Sequence, residues 1–87
     1  MSSTSDSRLK KMYLVLRIDT RNDGRMVHAV CVAPDFDTAY RQMLMEVEYF
    51  YEDFNVIVDE KKNKSFQNKE NEVTIDVSII ETIFIDW

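Results

Sequence analysis

The sequence predicts an α+β domain of order ββαββ, in two layers, with one amphipathic helix packed on a mainly antiparallel sheet. Three observations carry this. Apolar residues alternate on both sides of the only glycine, between Met12 and Ala33. They recur at helical spacing between Phe36 and Phe54. They alternate again from Val73 to Trp87. Hairpins at both ends and one helix between them bury their apolar surfaces most simply as one helix layer against one sheet.

Residues 1–11 are Ser-rich and polar and read as a disordered tail outside the fold, which leaves residues 12–87 as one domain. Met12 to Asp19 has period two, the mark of a strand, and Leu14, Leu16 and Ile18 form its expected core face. Asp23-Gly24 between two apolar runs signals a hairpin, because both residues tolerate positive φ. The return strand is Met26 to Ala33. A two-residue Asp-Gly turn sets Ala29, Cys31 and Ala33 opposite Ile18, Leu16 and Leu14; a three-residue turn sets His28, Val30 and Val32 there instead. The first is favoured, because small residues let a helix lie close.

Pro34 ends the second strand, and Asp35 suits a helix N-cap, with Asp37 at the positive end of the dipole. Over residues 36–54, Phe36, Tyr40, Met43, Leu44, Val47, Phe50, Tyr51 and Phe54 share one apolar arc, which reads as core. Met45 and Tyr49 fall on the opposite, polar face with Arg41, Glu48 and Glu52. Asn55 to Asp59 is a short strand. Residues 59–72 are polar and lysine-rich with one aromatic, Phe66, and read as a long exposed loop. The final alternation is either one long bent strand or two strands meeting near Glu81-Thr82.

Composition excludes several functions. A chain of 87 residues with 45% apolar and 31% charged residues suits one globular domain. No apolar run is long enough to span a membrane, and no apolar leader is present. A single cysteine makes no internal disulfide, so stability must come from the core or from a partner. These features predict a cytoplasmic protein, in the host cytoplasm if it is viral. One glycine cannot build a phosphate cradle. His28 and Cys31 are three apart in a strand, which sends them to opposite faces and rules out a dyad. No His/Cys cluster suits zinc, and Asp35-x-Asp37 is better read as capping than as a magnesium site. The expectation is a non-enzyme with no catalytic, metal or cofactor residues.

Charge distribution points to a partner instead. The net charge is −5, but residues 1–34 sum to +3 and residues 35–60 to −7. Glu46, Glu48, Glu52, Asp53, Asp59 and Glu60 fall within fifteen residues that contain no base. A field of that sign repels nucleic acid and attracts basic surfaces. The expected partner surface is therefore these six acids with Met45 and Tyr49. It would dock on a basic, nucleic-acid-binding surface of a larger protein, in the manner of an inhibitor. Phage-encoded inhibitors of host nucleic-acid enzymes offer an analogy of size and charge, with no shared motif.

A second expectation is a self-associating subunit. One helix covers one face of a sheet, and the uncovered face is expected to present Tyr13, Val15 and Arg17 with Thr74, Asp76, Ser78 and Ile80. A homodimer would use Tyr13, Val15, Ile80, Phe84 and Trp87. A weaker reading is RNA binding through Tyr13, Arg17, Arg21 and Arg25, which the acidic remainder and the lack of an aromatic RNA-binding motif oppose.

Overall fold

The computed structural model describes residues 9–85, so the expectations for residues 1–8 and for Trp87 lie outside the described residues. Strand β1 (Leu9–Arg21) turns into β2 (Gly24–Ala33). Helix α1 (Phe36–Val47) and the short α2 (Phe50–Asp53) follow. Strands β3 (Asn55–Asp59), β4 (Asn63–Asn68) and β5 (Val73–Ile85) complete one antiparallel sheet of order β2-β1-β5-β4-β3. The class is α+β, with five strands and two short helices in place of the ββαββ order read from the sequence.

Three differences have local causes. The strand β1 begins at Leu9, because residues 9–11 pair with residues 83–85 of β5. That single strand of 13 residues settles the choice between one strand and two. The lysine-rich segment contains β4, where Lys64 and Phe66 alternate inward and are both buried, with Phe66 against Phe50 and Tyr51. One aromatic and one lysine give too little alternating hydropathy to mark a strand in the sequence. The long helix breaks at Glu48-Tyr49. The Asp35 cap forms as expected, its carboxylate accepting from the Thr38 N–H at 2.7 Å.

Next to the turn the hairpin takes neither expected register, but beyond the bulge Leu14 pairs with Val32, as the three-residue turn would set it. Arg21 pairs with Gly24 across Asn22-Asp23, so the turn sits one residue earlier than Asp-Gly. Gly24 opens β2 with φ +147°, a conformation that favours glycine. A bulge between Val15 and Leu16 then leaves Val30 without a partner, and shifts the remaining pairs. His28 lies opposite Arg17 and Cys31 opposite Val15. The bulge therefore puts His28 and Cys31 on one face, where simple alternation would part them. Cys31 is partly buried against the core, and burial pushes its thiol pKa up.

The core face of β1 is the opposite of the expected one. Val15 is fully buried, with Ala39, Met43 and Val47 of α1, Phe50 of α2, Phe66, and the alternating set Val73, Ile75, Val77 and Ile79 of β5. The pairing of β1 with β5 explains this. Val15 lies opposite Ile79, Arg17 opposite Val77 and Asp19 opposite Ile75. Residues paired directly across an antiparallel ladder share a face. The unambiguous apolar parity of β5 thus draws Val15, Arg17 and Asp19 under the helices and turns Leu14, Leu16 and Ile18 away. Lys61 clips the β3–β4 turn to α1, its ammonium 5.5 Å from the ring centres of both Phe36 and Tyr40.

Candidate functional site

Two cations, the half-buried Arg17 and the buried Lys64, organise the acids around the helices. Arg17 reaches across from β1 to Glu46 on α1 at 2.8 Å and chelates Asp19 at 2.7 and 3.0 Å. Its guanidinium also lies 5.0 Å from the centre of the Phe50 ring. Hydrogen bonding to Asp19, opposed by burial and reinforced by Glu46, drives the Arg17 pKa further up. His28 Nε2 stands 3.9 Å from Asp19 at the edge of this cluster. Lys64 is the second cation, with its side chain only 6% exposed. Its ammonium donates to Asp59, which also accepts from the Tyr51 hydroxyl at 3.0 Å. The bond from Lys64 and the bond from Tyr51 hold the Asp59 pKa below the usual carboxylate range. Burial and Asp59 push the Tyr51 phenol up.

These pairs remove two acids from the expected partner surface. Glu46 is bound toward the sheet by Arg17, and Asp59, still exposed, is paired with Lys64 and Tyr51. Glu48, Glu52, Asp53 and Glu60 remain exposed, and among the described residues none of their carboxylates has an ion-pair or hydrogen-bond partner. Met45 and Tyr49 stand out from the same side at 69% and 53% exposure. Leu44 and Tyr51, expected in the core arc, are exposed as well. Ala39, Met43 and Val47 are the buried residues of α1, and Glu46 beside them bonds Arg17, while Leu44 lies outward. A shallow groove lined by Leu44, Met45, Glu48 and Tyr51 results. The nearest sequence signal for it was Met45 at the centre of a polar face.

The expected sheet-face surface is partly reassigned. Tyr13 packs edge-on against Phe36 at 5.9 Å, Val15 is fully buried and Arg17 is tied to Glu46, so all three lie under the helices. The loss of Tyr13 and Arg17 also dismantles the basic corner considered for RNA. Thr74, Asp76, Ser78 and Ile80 keep their expected place on the uncovered face. Phe84 occupies the register position opposite Lys10 near the end of the sheet. The apolar side chains of the uncovered face come from Leu14, Leu16 and Ile18, with Val27 and Val32 of β2 beside them.

Among the described residues, no three His, Cys, Asp or Glu side chains converge as a metal set, and no helix is long and apolar enough to cross a membrane. Compared with protein-family models, curated proteins and solved structures, the chain matches none.

Proposed function

We propose that this protein is a non-enzymatic interaction module whose outer helix surface docks on a basic surface of a larger protein. One observation carries the reading: an exposed groove is lined by Leu44, Met45, Tyr51 and the unpaired acid Glu48, and the exposed Tyr49, Glu52 and Asp53 follow it in the chain. An apolar centre supplies desolvation energy, and the acids around it select a cationic rim and speed encounter. In its sharper form the module is an inhibitor that covers a nucleic-acid-binding groove. The pairing of Glu46 with Arg17 and of Asp59 with Lys64 leaves too short a row of free charge for a duplex mimic, so the contact with Met45 and Tyr49 matters as much as the acids.

The test uses a basic amphipathic Lys/Leu helical peptide as the probe, followed by fluorescence anisotropy. Binding should weaken at least about 10-fold between low and high salt. Glu48→Lys with Glu52→Lys should abolish it, while Glu70→Lys with Glu72→Lys, on the β4–β5 turn, should not. Equal loss in both double variants would reduce the interaction to net charge and defeat the assignment.

A further inference from the structure

The uncovered face of the sheet is the largest surface that the docking reading leaves unused. Helix α1 is about 18 Å long at 1.5 Å per residue, whereas the 13-residue strands β1 and β5 run about 43 Å. Both helices lie against the other face. On the uncovered face, Leu14, Leu16 and Ile18 are half-buried by their neighbours, while Val27, Val32 and Ile80 are 62%, 45% and 42% exposed. The pairs Leu14–Val32, Ile18–Val27 and Leu14–Ile80 make these side chains one continuous patch across three strands.

We propose that a second copy of this chain packs on this patch, face to face. Two features select that occupant. The first is charge. Asp76 is the one acid at the described strand positions of this face, and it is already bonded to Ser65 Oγ at 2.5 Å. Two chains of net charge −5 repel over most of their surfaces, but this face holds few acids, and its bases, Arg25 opposite Thr20 and Lys10 opposite Phe84, sit toward the strand ends. A neutral apolar patch is also self-complementary, as a two-fold interface requires. The second is area. The five strands, of 13, 10, 5, 6 and 13 residues, average about 31 Å at about 4.8 Å spacing, so the whole uncovered face, with the apolar patch on its β2-β1-β5 side, presents roughly 750 Å², close to the ~800 Å² that each partner gives to a stable interface. The two sheets would stack about 10 Å apart, with the helices outermost. The association would also serve a chain that has no disulfide to staple its small core.

This interface is independent of the docking surface on the helices, and its test is the mass in solution of the full chain. At about 50 µM the mass should be twice 10.3 kDa at both about 0.05 M and about 0.5 M salt, because apolar contacts are little screened. Ile80→Asp should raise the dissociation constant at least about 10-fold. Val27→Lys should do the same, and this edge position is exposed enough to keep the monomer folded if Ile80→Asp is not. Glu48→Lys with Glu52→Lys should leave the dimer intact. A monomer at both salts overturns the proposal and leaves the patch for a different chain. So does a dimer that survives both Ile80→Asp and Val27→Lys, which would place the contact at a strand edge. A dimer dissolved by the helix substitutions also overturns it.

Discussion

The outer helix face and the uncovered sheet face expose apolar side chains to similar degrees, yet their surroundings differ in kind. Met45 and Tyr49 neighbour Glu48 and Glu52 in the chain, whereas Val27, Val32 and Ile80 share their face with leucines, threonines and serines, and with Asp76, Arg25 and Lys10 as its few charges. The difference originates beneath the helices. Arg17 and Lys64 pair with Glu46 and Asp59, so the unpaired acids set the character of the helix face alone. An exposed methionine beside unpaired acids suits a partner of opposite charge; exposed valines on a face with few charges suit a surface like themselves.

Removing the support shared by both surfaces should have the largest effect. Phe66 is fully buried and touches Phe50 and Tyr51, so Phe66→Ala should cost about 3–5 kcal/mol, read as a lowered midpoint in urea. Peptide binding and self-association should then fail together. Arg17→Met should be milder and selective. It strands Asp19 and Glu46, but Glu46 can turn to solvent, so the cost should be about 2 kcal/mol rather than that of a fully buried pair. The released Glu46 should make binding of the basic peptide more salt-dependent, which measurements at several salt concentrations would detect. An unchanged salt dependence would mean that Glu46 stays turned inward without Arg17.

Gly24→Ala touches only the hairpin end of the sheet face. Nothing crowds an added methyl there, but φ of +147° disfavours any side chain, so about 1 kcal/mol should be lost with peptide binding unchanged. The smallest effect concerns pH. The folded pKa of Asp59 is depressed, so its contribution is fully present above about pH 4 and lost as pH falls through the lower folded value. Asp59→Asn should flatten that part of the acid limb in urea titrations at several pH values. An acid limb of unchanged slope would assign the loss to other carboxylates.

Local patterns were legible in proportion to how one-sided they were. The last strand, the Asp35 cap and the short strand at residues 55–59 each carry a single strong signal, and each forms where it was read. The lysine-rich segment failed as a strand signal because Lys64 is buried by Asp59, a partner from a neighbouring strand that polarity alone does not reveal. The candidate docking surface was half legible. Glu48, Tyr49, Glu52 and Met45 are where helical spacing put them, but the inward turn of Glu46 depends on an arginine 29 residues away in sequence.

By itself, then, the sequence determined the α+β class, the inward parity of β5 and the acidic character of the helix surface. Those follow from local periodicity and charge. Only the tertiary structure decided which face of β1 is buried. That strand is apolar on both parities, with Tyr13 and Val15 on one and Leu14, Leu16 and Ile18 on the other. A slip of one residue against β5 would have exchanged them. The pairing of Val15 with Ile79 and the reach of Arg17 to Glu46 both favour the observed register, and both join residues far apart in the chain.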